Sequence, residues 1–544
     1  MECCSNICLT INFLLRKHIL CKEFHTCSLF FFLPPCVTIC SKKRLMRIGN
    51  MFFYSHFLYD GKQRTRRLNP AQVMLRRTYS TLAADSAANL RTTNTLRKAQ
   101  LDLKNAYNNF DEYKLICQRR NVSFPLDDSF KADYERLQKV NETILNFKHE
   151  SKNLQKALKD LKIQEKKNNI DNSMEQEKIL DKLSKYKPIV SEKSKIWTEL
   201  EDKLFIQVAS LPNLIHPSVK EQQRLLEYIN PTGEIIQSKT DDFQVQSNPK
   251  LDHKNIMERF GLVDFSQATK ISGRGWYYLI GDGALLEQAL IQYALKSARK
   301  AGFKMALPPS IVKTEVTKAC GFMPRDTNNE TQVYELKNDD LCLTGTAEIP
   351  LAALNANKEF SHTELPLNVV GLSRSYRAEA GAAGRDTRGL YRVHEFTKVE
   401  LFSWTSPDET LSMGQFDSIV EFQKEFIKSL GLTARVLVMP HDDLGAPAYK
   451  KIDIEVLMPG RGAWGEVSST SNCLDFQSRR LITKVRDPSD KKLKFVHTLN
   501  GTACAVPRVV LSIIENFYDP EKDVIVVPEV LRPFMDDKSE IRPQ

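Results

Sequence analysis

The chain has 544 residues and a formal net charge of +11, with 78 Lys and Arg against 67 Asp and Glu. This length provides two or three domains with a sizeable core, and the charge favours a polyanionic partner without separating nucleic acid from an anionic membrane. Twelve cysteines, none in a Cys-x-x-Cys pair and most of them near the start, exclude a disulfide framework and a zinc site as organising principles.

Residues 1–84 form the first unit. They hold thirteen basic residues, among them Lys42, Lys43, Arg44, Arg66, Arg67, Arg76 and Arg77, against Glu2, Glu23 and Asp60 alone. An arginine-rich, acid-poor leader reads as a mitochondrial targeting segment, largely disordered, and the alternative is a disordered basic tail. Arg77-Thr78-Tyr79-Ser80 resembles the matrix-protease pattern, which places cleavage near Tyr79. The apolar run at 29–35 is too short to span a bilayer, so no membrane partner is expected.

From about residue 90 the chain turns helical. Leu137, Val140, Ile144, Phe147, Ser151, Leu154, Leu158 and Leu161 are spaced by threes and fours, and so are Ile179, Leu183, Tyr186, Val190, Lys193, Trp197, Leu200 and Leu204. Such spacing marks helices packed along a narrow seam. The polar stretch 166–173 between them predicts an antiparallel helical hairpin, whose first helix from 129 to 161 would reach about 50 Å. A plain spacer coiled coil is one use of such seams. However, Lys148, Lys152, Lys156, Lys159, Lys162, Lys166 and Lys167 crowd the distal end, where a lever tipped with cations suits phosphate contacts.

Leu211-Pro212-Asn213 closes the second helix, and 237–250 reads as a linker. Beyond it, short alternating apolar runs mixed with helical stretches predict an α+β domain with an antiparallel sheet flanked by helices. The expected division is therefore 1–84 leader, 85–230 N-terminal helical domain with its arm, and 231–544 the main domain. One helix follows Gly281-Asp282-Gly283, with Gly302 placed to cap it. Those glycines lack the Lys-Ser/Thr ending of a nucleotide-hydrolase phosphate loop. Residues 369–379 and 393–402 read as an antiparallel strand pair, with Arg377 and Glu379 on one face and Lys398 and Glu400 on one face. Such a face suits an anion and an amine together, and an ordinary ion-pair ladder is the plainer account.

Tyr376-Arg377-Ala378-Glu379 matches the second sequence signature of class II aminoacyl-tRNA synthetases. With Gly384-Arg385-Asp386-Thr387-Arg388-Gly389-Leu390 and Arg392-Val393-His394 it resembles seryl-tRNA synthetases in particular. Thr344-Gly345-Thr346-Ala347-Glu348-Ile349-Pro350-Leu351, Glu466-Val467-Ser468-Ser469-Thr470-Ser471-Asn472, Asp475-Phe476-Gln477, Leu499-Asn500-Gly501-Thr502, Ala505-Val506-Pro507-Arg508 and Glu515-Asn516 agree in order and spacing. The helix after Gly281 and Pro309 match the first signature, which that family uses for dimerisation. Pro507 stands where many bacterial members have glycine, a change that a helix start tolerates. The arm is also richer in lysine and poorer in arginine than is usual for the family.

The resemblance implies serine activation with ATP, then transfer of serine to tRNA(Ser), by a homodimer with Mg²⁺ in the mitochondrial matrix. It would give Arg377 the α-phosphate and the serine carboxylate, Glu379 the adenine amino group, and Arg508 the γ-phosphate. Ala378, Val393, Val467 and Ser468 would complete the ATP site, and Glu466 and Ser469 would hold Mg²⁺. Thr346, Ala347 and Glu348 would receive the serine amino group, while Glu400, Asn500 and Thr502 would read its hydroxyl. Arg377, Glu466 and Arg508 thus become the expected catalytic residues. Three rivals stand beside this reading. A non-catalytic tRNA-binding paralogue is expected to lose the arginines or the carboxylate, a carrier-protein ligase is expected to lack the arm, and other class II members carry a C-terminal anticodon domain that the last thirty or so residues leave no room for.

Overall fold

The computed structural model describes residues 47–48, 51–52, 96–168, 171–238, 243–323, 332–379 and 388–544. The chain divides into two units, residues 1–90 and 91–544. In the first, Arg47–Ile48 and Met51–Phe52 pair as two antiparallel strands, and the remaining expectations about the leader lie outside the described residues.

The second unit begins with two short helices, α1 (Leu103–Asn108) and α2 (Phe110–Arg119), at the foot of a long pair, α3 (Phe130–Asn168) and α4 (Ser173–Ala209). The expected hairpin is present and longer than its seams. α3 runs 39 residues, about 58 Å, because Gln164, Glu165, Lys166 and Lys167 are good helix formers and carry it past the last seam leucine. Residues 166–168 are therefore helix and not turn, and the second helix starts at Ser173, whose N–H is accepted by Asp171 at 2.9 Å. Phe147 and Tyr186 meet edge to face across the seam, 5.0 Å between ring centres. At the foot, Phe130, Leu137, Leu200 and Leu204 are buried with Ala106, Tyr113, Ile116 and Leu211 in a separate apolar core. The distal lysines all point outward. Arg120, 3 % exposed, fastens this foot to the rest of the unit. Its guanidinium donates to the carbonyls of Asn213, Leu214, Leu444, Gly445 and Ala448, which offsets the cost of burying a cation.

The main domain is built on eight strands: β1 (Arg224–Ile229), β2 (Lys304–Ala306), β3 (Leu367–Tyr376), β4 (Glu395–Thr405), β5 (Ala434–Val438), β6 (Lys450–Met458), β7 (Ala463–Asn472) and β8 (His497–Ala505). Their order across the sheet is β1-β5-β6-β7-β8-β4-β3-β2. Every pairing is antiparallel except β2 with β3 at one edge. The opposite edge strand, β1, comes from before residue 230, so the sheet draws on both sides of the division expected there. A short helix, Gly233–Ser238, runs into the start of the expected linker.

Five helices complete the frame: α5 (His253–Arg259), α6 (Asp282–Lys300), α7 (Glu348–Ala353), α8 (Glu409–Ser429) and α9 (Val506–Phe517). α6, α8 and α9 cover one face of the sheet, where Val399, Leu401, Leu499, Ala503, Phe416, Val509 and Ile513 share the largest core. As expected, Gly302 follows the end of α6 with φ +89°, and the N–H groups of Gly302 and Phe303 close onto the carbonyls of Arg299 and Ala298. The alternation that buries Val399 and Leu401 leaves Lys398 and Glu400 on the other face. That face holds the polar chemistry.

Candidate active site

Residues 377–379 are not strand. β3 ends at Tyr376, and Glu379 takes φ +46°, so the expected two-residue alternation does not apply there. Arg377 is positioned instead by backbone bonds beyond the strand end. Its N–H donates to His394 at 2.9 Å, its Nε donates to the Gly345 carbonyl at 3.2 Å, and the N–H of Ala378 donates to Gln332 at 3.1 Å. Glu379 accepts from Arg392 at 3.1 Å. Arg377, Glu379, Tyr391, Val393, Phe396, Lys398, Glu466, Val467, Thr502 and Arg508 line one cavity. Residues 380–387, including Arg385, Asp386 and Thr387, lie outside the described residues.

Arg508 enters the cavity from the first turn of α9, with Pro507 at the helix start. Its Nη1 donates to the Glu466 carbonyl at 2.9 Å and lies 3.5 Å from the Glu466 carboxylate. Enclosure works against charge on Glu466, but Arg508, Lys451, Arg377 and Lys398 outweigh it and hold the carboxyl below its usual range. Enclosure and the neighbouring Arg508 also lower the pKa of Arg377. Two guanidinium groups that repel each other across a cavity are relieved by a bound polyanion.

Glu466 and Ser469 are three apart, a spacing that a regular strand sends to opposite faces. A bulge in β7 corrects this: Glu466 pairs with Glu455 and Ser469 with Asp453, so both share one face and Val467 is the extra residue. Asp453 belongs to the same patch. Its carboxylate takes Lys451 at 2.9 Å and bonds the Ser469 side chain. Burial, with Glu466 nearby, pushes the Asp453 carboxyl up while Lys451 opposes the shift. Its Oδ1 has no partner among the described residues. Ser468 points elsewhere, and its hydroxyl donates to the Thr502 carbonyl. The donor set of Glu466, Ser469 and a spare carboxylate oxygen is hard and anionic, as Mg²⁺ requires. No cluster of three or more His, Cys, Asp or Glu side chains surrounds a common point among the described residues.

Beside this cavity lies a second polar group that shares Lys398 and Thr502 with it. Glu348 opens α7, and its Oε1 accepts from Gln477 at 2.6 Å and Asn500 at 2.8 Å. Its own N–H donates to the Thr346 hydroxyl at 3.2 Å, and Ala347 is fully buried behind it. On the sheet, Glu400 accepts from Lys398 at 2.7 Å and from Thr502 at 3.4 Å. Burial, then the charge of Glu400, push the Glu348 carboxyl up to about 7. A small cation set between these two carboxylates would favour the charged form of Glu348.

Sequence reasoning left Lys398, Gln477, Lys451, Asp453, Tyr391 and Phe396 outside the site. The shared face of Lys398 and Glu400 extends to Phe396, two residues earlier on β4, and Lys451 and Asp453 are likewise two apart on β6, so strand alternation accounts for both groups. Gln477 arrives through a turn after β7 and Tyr391 through a loop wall, and neither carries a periodic trace.

A large antiparallel sheet carrying an arginine past one strand end, a carboxylate on a bulged strand and a second arginine at a helix start define a class II aminoacyl-tRNA synthetase core. A family model described as "tRNA synthetase class II core domain (G, H, P, S and T)" matches residues 332–517. The mitochondrial serine–tRNA ligase of Saccharomyces cerevisiae is 44% identical over 446 residues, covering 81% of this chain and 95% of the relative. That of Schizosaccharomyces pombe is 39% identical over 455 residues, covering 80% and 88%. The solved seryl-tRNA synthetase of Pyrococcus horikoshii, complexed with ATP, superposes with a TM-score of 0.67 at 30% identity, over 82% of this chain and 100% of its own. The chain belongs to the seryl-tRNA synthetases.

Proposed function

We propose that this serine–tRNA ligase activates serine in the cavity and the polar group beside it, and charges tRNA(Ser) gripped by its helical arm. The observation that carries this reading is the convergence of Arg377, Arg508 and Glu466 on one cavity whose lining residues Lys398 and Thr502 also bond Glu400, next to Glu348.

In the first step a serine carboxylate oxygen attacks the α-phosphorus of ATP, and pyrophosphate leaves with the electrons of the broken P–O bond. No protein nucleophile is needed, so the site works by holding two anions together and accepting spreading charge. Arg377 takes the carboxylate and α-phosphate with a planar fork that lysine lacks. Arg508 takes the γ-phosphate. Glu379 accepts from the adenine amino group, with Ala378, Val393 and Val467 shaping the pocket. Glu348 and Thr346 hold the serine ammonium beside Ala347, and Glu400, with Asn500 and Thr502, reads the hydroxyl. In the second step a hydroxyl of the tRNA 3′ end attacks the adenylate carbonyl and AMP departs. Mg²⁺ would be held by Glu466 and Ser469 and would supply charge neutralisation at the phosphates.

This assignment has a direct check. Glu466→Gln keeps the side-chain shape and removes the charge, so exchange activity should fall and the magnesium concentration for half-maximal activity should rise about tenfold. An unchanged magnesium dependence would reduce Glu466 to a structural partner of Arg508.

Three coarser features complete the reading. The domain division at 84 and near 230 gives a leader, the tRNA-binding helices and the catalytic core, with β1 passing from the second segment into the core sheet. A homodimer through the region of α6 and Pro309 follows from the first class II signature. Residence in the mitochondrial matrix is supported by the basic leader and by the mitochondrial relatives in two yeasts. Among the described residues no helix is long and apolar enough to cross a membrane. N-terminal sequencing of the protein from its source cell should find a chain starting near Ser80, and one that starts before Lys62 would contradict the targeting assignment.

A further inference from the structure

His253 is 5 % exposed and lies outside every motif discussed so far. It is the first residue of α5, capped by Asp252, whose carboxylate accepts the N–H of Asn255. The imidazole is held at both nitrogens. Nδ1 lies 2.8 Å from Oε1 of Glu515, and Nε2 accepts the backbone N–H of Leu390 at 3.2 Å. Because Nε2 accepts, the ring proton sits on Nδ1 and is donated to Glu515. Glu515, fully buried, uses its other oxygen to accept the N–H of Arg461 at 3.0 Å.

These bonds converge on one stretch of backbone. Leu390, Tyr391, Arg392 and Val393 form a wall of the cavity that holds Arg377 and Arg508. Arg461 lies flat over the Tyr391 ring, 3.5 Å from its centre, while Arg508 sits 4.6 Å from the same ring and donates to the Tyr391 carbonyl at 3.2 Å. Arg388, just before the wall, reaches Asn255 at 3.4 Å and Asp252 at 3.7 Å, so the start of α5 ties the wall down twice. Gly389 takes φ +78°, and a Cβ there would overlap the His253 ring. The backbone therefore passes as close to the imidazole as a chain can. Glu515 and Arg508 are seven residues apart on α9, two turns, and so lie on one side of the helix.

From this geometry we propose that His253, bridged through Glu515, is a positioning residue for nucleotide binding: it fixes residues 390–393 against the helix that carries Arg508. The inference rests on the assignment of that cavity to ATP. It predicts a selective defect, because the serine cluster at Glu348 and Glu400 shares neither the wall nor the bridge.

The test uses the full chain in serine-dependent ATP–pyrophosphate exchange, with KM measured separately for ATP and for serine. His253→Ala should raise the KM for ATP about tenfold, the size of one lost buried hydrogen bond, and leave the KM for serine within about twofold. His253→Gln, which returns an acceptor to the position of Nε2, should recover most of the ATP affinity, and its rescue keeps the test decisive where the alanine variant is too unstable to assay. An ATP KM unchanged in both variants, or ATP and serine KM values that rise together, would overturn the role of His253. Wild-type protein without serine-dependent exchange would instead overturn the cavity assignment itself.

Discussion

Replacing Glu400 by alanine is expected to lower kcat/KM for serine in pyrophosphate exchange by about 10⁴-fold, while the KM for ATP stays within about twofold. The size follows from burial. Glu400 is 2 % exposed and its carboxylate meets Lys398 at 2.7 Å and Thr502 at 3.4 Å. Alanine removes the acceptor for a substrate hydroxyl and also strands the ammonium of Lys398, itself 7 % exposed, beside Thr502. Glu400→Gln separates these effects, since it keeps the shape and an acceptor oxygen but withdraws the charge that balances Lys398. Steady-state exchange with serine and ATP varied in turn gives both constants. Normal serine activation by the alanine variant would show that the hydroxyl is read elsewhere.

The parts of this site that were legible in the sequence are those whose spacing survives folding. Glu400 and Lys398 lie two apart on β4, and although the ladder to β8 shifts register between Val399 and Glu400, the continuous pairing with β3 keeps them on one face. The helical seams were legible for the same reason, because a three-four pattern admits one packing solution. Glu466 and Ser469 were assigned by resemblance alone, since their spacing of three contradicts a regular strand. One extra residue, Val467, reverses the alternation and leaves no mark in composition. The strand reading of 377–379 failed at the opposite kind of place, where the ladder stops at Tyr376 and backbone bonds to Gly345, His394 and Gln332 take over. Gln477 was legible only as the end of the Asp475-Phe476-Gln477 segment, and nothing in the sequence singled out Asp453. Gln477 matters through Glu348, far away in the chain, and Asp453 through Lys451 two residues before it and Ser469 on the neighbouring strand.

Removing the distal arm is expected to abolish charging of tRNA and spare adenylate formation. Every side chain assigned to ATP or serine lies after residue 343, and the exposed lysines from Lys148 to Lys167 lie on helix faces away from the seam, at the far end of a lever about 58 Å long. The family resemblance places the long variable arm of serine tRNAs there, read largely through shape and backbone. The cut has to respect the foot of the hairpin. Phe130, Tyr134, Leu137, Leu200 and Leu204 belong to the buried core shared with α1 and α2, so replacing all of 129–204 would unfold what Arg120 anchors. Replacing 141–195 with a short flexible linker keeps that core and removes the lysine-rich end. Because phosphate contacts release counterions, charging by the intact protein should also weaken steeply with salt while exchange does not.

The two half-reactions, measured side by side on the intact chain and on the 141–195 replacement, test the central claim most directly. The intact protein should support pyrophosphate exchange with serine and with no other amino acid, and should charge serine tRNA. The replacement should keep serine-dependent exchange within about twofold and lose about a hundredfold or more in charging. Equal loss of both activities would make the arm a structural element, and efficient charging without it would remove tRNA binding from the arm altogether.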